Sequence, residues 1–300
     1  MNTLNDPSIL RIEKVLDYIH SNVDKTLSLD ELAKQSCWSR WQLQRVFQAK
    51  TGLNVAQYVR ELKLSAAAQR ILSSNDRMLD IALECGFNSE ISFSRAFKQY
   101  FAVSPRQYKK NNLLAGIRAP LTRPNLSNQV DSTKLEFCQI RIEHRPTFSL
   151  TGLSEPIRGP FSPQPDFQQK VPMIWHDLLK VAPEIQSCPT QLGIIDTRHC
   201  ILGDEGLIYW AGTASHHFES SSDKVTSIDI PDQTYAVLPV TGHISNLSNM
   251  VCWLMLFWLP DSGYQGVDGF ELEVYDHRFN PISNDSYMEY WLPIEKVPTK

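Results

Sequence analysis

Three hundred residues with 42% apolar and 21% charged side chains can supply cores for two ordinary domains, which excludes a disordered or fibrous chain. The most apolar run, residues 250–259 (MVCWLMLFWL), has about half of the ~20 residues that a bilayer-crossing helix needs. The net charge of −4 divides unevenly: residues 1–118 hold 17 Lys and Arg against 11 Asp and Glu, and residues 119–300 hold 12 against 22, so the front half suits a polyanion and the back half a cation.

The opening MNTLNDPSILRIEK lacks a basic n-region and an uninterrupted apolar stretch, so no secretory signal is expected. Cys37, Cys85, Cys138, Cys188, Cys200 and Cys252 are scattered without a C-x-x-C pair, as suits reduced thiols in a cytoplasmic protein. Ile9, Ile12, Val15, Leu16 and Ile19 recur at helical spacing after Pro7-Ser8, predicting a first helix. Ser28-Leu-Asp-Glu31 has the form of a capping box opening a short helix over about residues 29–35. WSRWQLQRVFQAK follows, closed by Gly52, and Asn54 caps a long helix of about 18 residues, VAQYVRELKLSAAAQRIL. Short helices near 78–84 and 89–100 come next, and Ser104-Pro105 opens the last helix of this region.

An internal repeat runs through these helices. Leu32-Ala33 and Trp38 recur as Ile81-Ala82 and Phe87 at an offset of 49; Leu43, Arg45, Val46 and Phe47 recur as Phe93, Arg95, Ala96 and Phe97 at an offset of 50. Each copy reads as a short helix, a tight turn and a second helix, which is a helix-turn-helix present twice. Residues 111–132, rich in Asn, Ser and Pro, read as a linker. Beyond them the period changes to that of strands: FCQIRIEH, TFSLTGL, QLGIID, GLIYWAGTA, KVTSIDI, TYAVLPV, GFELEVY and YMEYWLPI. Helix-like stretches at 171–181 and 245–259 each follow a strand pair ending in Thr-Gly, which suggests a second duplication of α+β type.

If Leu43, Val46 and Phe47 face the core, then Trp41, Gln44, Arg45 and Gln48 face outward. In the second copy the outward residues are Ile91, Ser94, Arg95 and Lys98. Arg can be bidentate to guanine, Gln can read adenine, and apolar groups can meet a thymine methyl. Arg40, Lys98 and the hydroxyls of Ser39, Ser89 and Ser92 suit phosphates. One such face could be merely solvated; two equivalent faces in a repeat favour a surface that reads double-stranded DNA.

Residues 27–110 resemble the DNA-binding domain of the AraC/XylS transcription regulators, through LSLDELAKQS, WSRWQLQRVFQAKTGL, AAAQRIL and DIALECGFNSEISFSRAFKQYFAVSPRQYK in order and spacing. The resemblance implies two homeodomain-like helix-turn-helix units, held by the long helix and inserted into successive major-groove segments. The chain departs from that pattern at Glu90 and Ile91, where relatives often carry Gln or another neutral polar residue. An acidic Glu90 repels phosphate unless it accepts from a cytosine amino group.

The back half is similar, less specifically, to the GyrI-like small-molecule-binding domain, through TFSLTGL, TYAVLPVTGHI, WLPDSGY, FELEVY and WLPI. That resemblance implies a cleft between two pseudo-repeats, with a buried acid at Glu273. In FELEVY, Glu271, Glu273 and Tyr275 share one strand face. A buried carboxylate among aromatics suits a cationic ligand, with Phe161, Trp175, Trp210, Trp253, Phe257 and Tyr290 as the expected walls; ordinary core packing competes for each of these.

No metal or cofactor is expected: His216-His217 and His199-Cys200 lack a third ligand at useful spacing, and no phosphate loop or hydrolase motif occurs. The expected protein is therefore a multidomain regulator and not an enzyme. Residues 1–110 form an all-α tandem helix-turn-helix domain, 111–132 a linker, and 133–300 an α+β GyrI-like duplicated domain. It should be a cytoplasmic activator, monomeric on promoter DNA, contacting RNA polymerase and sensing a small effector. The alternatives are a hydrolase-like back half, using Glu273 with Tyr275, or a ligand-free docking module.

Overall fold

The computed structural model describes residues 7–124, 137–200, 206–215 and 224–297. They divide into two compact units, one holding residues up to 124 together with 137–143, the other beginning at 144.

The first unit is a helical cluster: α1 (Pro7–His20), α2 (Leu29–Ser36), α3 (Arg40–Thr51), α4 (Val55–Ser73), α5 (Met78–Glu84), α6 (Glu90–Phe101) and α7 (Pro105–Asn111). Their limits follow local chemistry. Ser28 and Glu31 make both hydrogen bonds of a capping box before α2, and Ser39 with Gln42 does the same before α3. Asn54 caps α4 by accepting from the Ala56 and Gln57 amides. Gly52 closes α3 at φ 75°, a conformation in which a side chain would be strained. Ile9, Ile12, Val15, Ile19, Leu43, Phe47 and Val55 form one buried core, while Phe93 and Phe97 are fully buried in the second copy.

The segment after α7 departs from its linker reading. Residues 113–124 are held to the helices: the Arg118 amide donates to Ser65 Oγ at 2.9 Å and the Leu121 amide to Tyr58 Oη at 3.0 Å. Ile117 and Leu121 are buried, and β1 (Ile117–Arg118) pairs antiparallel with β2 (Arg141–Arg145) through Ile117↔Ile142 and Arg118↔Arg141. Apolar residues spaced four apart in an Asn- and Pro-rich stretch were too sparse to show this packing in the sequence. Residues 125–132 lie outside the described residues.

The second unit is an antiparallel sheet with helices over one face. Its strands are β3 (Phe148–Ile157), β4 (Gln191–Asp196), β5 (Leu207–Ala214), β6 (Thr226–Ile230), β7 (Gln233–Thr241), β8 (Tyr264–Gly266), β9 (Phe270–Tyr275) and β10 (Tyr287–Lys296), in the order β7-β10-β9-β4-β5-β3-β6, with β8 on β10. One sheet face packs Leu150, Ile194, Tyr235, Val237, Phe270 and Leu272 into a core. The helices α8 (Phe167–Val181) and α9 (Asn246–Trp253) follow β3 and β7 respectively. The α9 helix continues through a π turn, Leu254–Trp258, into a last turn at Leu259–Asp261.

The duplication is visible in the central pair. β4 and β9 run antiparallel with Gln191↔Tyr275, Gly193↔Glu273 and Ile195↔Glu271. Shifting β4 by 80 residues maps this ladder onto itself, with Gly193 and Glu273 at the pseudo-twofold axis. Both strands also end in the same turn: Asp196 binds the amide and guanidinium of Arg198, and Asp276 those of Arg278.

Candidate DNA-reading faces and ligand cavity

In the first unit, Leu43 and Phe47 bury one face of α3, so Trp41, Gln44, Arg45 and Gln48 emerge on the other. In α6, Phe93, Ala96 and Phe97 turn inward, while Ile91, Arg95 and Lys98 are exposed and Ser94 is half-buried. Trp41 is 63% and Ile91 66% exposed, which leaves large apolar groups in water at matching places of the two copies. The Arg45 guanidinium lies 5.2 Å from the centre of the Trp41 ring, a cation–π contact that orders the longer side chain. Arg40 pairs with Asp30 at 3.3 Å, and Glu90 with Arg106 at 3.7 Å. The hydroxyls of Ser39 and Ser89 accept from the amides of Gln42 and Ser92. They therefore cap the N-termini of α3 and α6, a task that the sequence reading did not assign to them.

In the second unit, a cavity of about 420 Å³ opens over the sheet on the side of β4, β5, β9 and β10. Glu273 lines it and is 7% exposed. Its Oε2 accepts from Tyr209 Oη at 2.6 Å and from Tyr275 Oη at 2.5 Å, and Tyr209 Oη in turn accepts from Trp175 Nε1 at 3.0 Å. Burial raises the Glu273 carboxyl above its ordinary range, against the pull of the two hydroxyls. Burial also pushes both tyrosines well up, reinforced by the Glu273 charge. A carboxylate held this way is costly unless a positive group joins it. Among the described residues, no Lys, Arg or His lines the cavity.

Gly193, opposite Glu273, makes room for this cluster. A Cβ there would collide with the Tyr209 hydroxyl and lie 2.7 Å from Glu273 Oε2.

The expected walls divide. Phe161 and Tyr290 line the cavity with Glu273. Trp175 and Tyr275 stand behind it, in edge contact with ring centres 5.7 Å apart. Trp210, Trp253 and Phe257 do not line it. Trp210 follows Tyr209 on β5 and so packs on the opposite sheet face, against the core of Ile194 and Leu272, because strand side chains alternate. Trp253 is buried away from the cavity, and Phe257 is 63% exposed.

Helix phase governs the last two positions: Trp253 lies ~200° and Phe257 ~240° round a regular helix from Val251, which lines the cavity. On a regular helix, residues taken every fourth place rotate by ~120° over twelve residues. The wider turn at Leu254–Trp258 offsets that drift, so Leu247, Val251, Met255 and Leu259 all line the cavity. Tyr209, Phe167, Val171 and Met255 were not singled out in the sequence. The alternation that places Glu273 inward also places Tyr209 inward once the β4–β5 register is known.

Of the histidine pairs, His216-His217 lies outside the described residues, and no group of three or more metal-binding side chains occurs among the described residues. No described helix is long and apolar enough to cross a membrane.

Comparison with known proteins agrees with this division of the chain. Residues 32–111 match a helix-turn-helix domain family, and residues 141–294 match the family of the integron-associated effector binding protein. The multiple antibiotic resistance protein MarA of Escherichia coli K12 is 38% identical over 104 residues, covering 35% of this chain and 82% of MarA. The right origin-binding protein of the same organism is 32% identical over 190 residues, 62% of each chain. An AraC-type transcriptional regulator from Chromobacterium violaceum, solved by crystallography, shares 29% identity over 36% of this chain and 96% of its own, with a TM-score of 0.33. The chain thus belongs to the AraC-type DNA-binding transcription regulators, and its second unit is a GyrI-like effector-binding domain.

Proposed function

We propose that this regulator activates transcription from promoters that it reads as a monomer, and that an organic cation bound over Glu273 controls it. The observation that carries the effector reading is a buried carboxylate in a cavity of about 420 Å³ whose lining, among the described residues, includes no cation. Such a site gains from a ligand that brings its own positive charge and an apolar or aromatic body.

On the DNA side, Trp41, Gln44, Arg45 and Gln48 read one major-groove segment and Ile91, Ser94, Arg95 and Lys98 the next, with Arg40 on phosphate. Two reading helices in one chain can serve half-sites about one helical turn, ~34 Å, apart, so no second copy is required. Contact with RNA polymerase in the cytoplasm completes the proposal. We assign no catalysis to the cavity: the hydroxyls of Tyr209 and Tyr275 are both engaged with Glu273.

Calorimetry with benzyltrimethylammonium and its neutral isostere neopentylbenzene tests the effector reading. The cation should bind more tightly, and Glu273→Gln should remove the preference; equal binding of the two compounds by the unaltered protein would contradict it. Mapping of bound genomic DNA, with transcript levels at the same promoters, tests activation. Transcript levels that rise when the gene is deleted would make the protein a repressor.

A further inference from the structure

The two halves of the duplicated domain are not equally filled, and the difference bears on how many charges the ligand carries. Across the Gly193–Glu273 axis, Ile195 and Tyr275 hold equivalent positions. On the Tyr275 side the ring packs against Trp175, with centres 5.7 Å apart, and against Phe279 at 4.4 Å, so aromatic volume closes that half. On the Ile195 side the smaller side chain leaves the cavity open.

The open half contains a second acidic station. Glu271 lies two residues from Glu273 on the same face of β9, about 6.6 Å along the strand, and it lines the same cavity. It is half-buried, and its Oε2 accepts from the hydroxyl of Tyr290. Asp268, exposed at the rim, lines the cavity as well. The position equivalent to Glu271 in the other repeat is Gln191, which is neutral. Among the described residues, charge therefore accumulates in the half that has space, and it runs from the deep Glu273 through Glu271 to the solvent-facing Asp268.

We propose that the effector is an elongated dication with an apolar spacer, one positive centre at Glu273 and the other at Glu271 with Asp268. This rests on the reading of the cavity as a cation site and adds the number and spacing of the ligand's charges. The apolar walls, Val251, Met255 and Leu292 among them, would enclose the spacer. A dication with its charges one aromatic ring apart brings one positive centre to each carboxylate.

The test uses the full chain and three probes: neopentylbenzene, benzyltrimethylammonium and p-xylylene-bis(trimethylammonium). Calorimetry should give the dication at least about tenfold tighter binding than the monocation. Glu271→Gln keeps the side-chain shape and an acceptor for Tyr290, and should abolish that gain, so that the dication binds this variant no more tightly than the monocation does. Glu273→Gln should weaken both cations. Equal affinities for monocation and dication, or a dication gain that persists in Glu271→Gln, would overturn the two-station inference and leave the cation reading standing. If neither cation binds more tightly than the neutral probe, both fall. Circular dichroism of each variant establishes that it is folded before its affinity is read.

Discussion

Both units are duplications, and they use duplication in opposite ways. In the helical unit the copies keep the same task. Phe47 and Phe97 are both fully buried, Arg45 and Arg95 both emerge on the outer face, and Trp41 and Ile91 put apolar groups at the same place. In the sheet unit the copies keep the same frame, down to the Asp-x-Arg turns, but the chemistry has moved to one side. Gly193 faces Glu273, Ile195 stands where the other copy has Tyr275, and Gln191 where it has Glu271. A repeat that reads a repeating polymer gains from sameness. A repeat that encloses one small molecule gains from divergence, because the two halves can then supply space and charge separately.

The largest effects should come from breaking the equivalence of the helical copies at their cores. Phe47→Ala and Phe97→Ala should each cost about 3–5 kcal/mol in urea unfolding, and a large loss in only one would mean that the copies are not equally packed. Next, Arg45→Ala and Arg95→Ala should each lose ~1–3 kcal/mol of discrimination between specific and scrambled DNA. Equal weakening on both DNAs would reassign that arginine to phosphate contact. Affinity on either DNA should also fall steeply with salt, as counterion release requires; a flat response would remove the polyanion as the partner of this unit.

The smallest effect separates the sheet repeats by pH. Burial raises the folded-state pKa of Glu273 above its ordinary 4.5. As pH rises past that value the unfolded chain releases this proton first, so stability falls until the folded carboxyl ionises as well. Glu273→Gln should lack that fall, and the stability difference between variant and parent should grow in the variant's favour from about pH 4.5 upward. A difference that does not change with pH would mean that Glu273 titrates alike in both states.

Much of this was legible in the sequence because the signals were local. The Ser28–Glu31 capping box, Asn54, Gly52, the 3.6-residue period of α3 and α6 and the offset of about 50 between them place the helices and their outer faces. The alternation in FELEVY placed Glu273 and Glu271 together. The cavity walls were less legible, because choosing the inward residue of a strand needs its register. Trp210 is the more conspicuous residue on β5, yet Tyr209 faces the acid. On the second helix, the π turn keeps Met255 and Leu259 in line with Leu247 and Val251 on the cavity, while Trp253 and Phe257 stand off that face. The packing of the segment after α7 is not legible locally, because its anchoring comes from partners distant in sequence, Ser65 and Tyr58.

The Gly193–Glu273 pair has one more consequence, for how such a site can come into being. In a dimer of identical chains, any residue on the twofold axis meets its own copy. A glutamate there would face a second glutamate across neighbouring strands, and like charges so close would force one to hold a proton at neutral pH. Joining the two copies in one polypeptide removes that constraint. One strand can then carry the acid, and its mate the empty space that the acid and its tyrosines occupy.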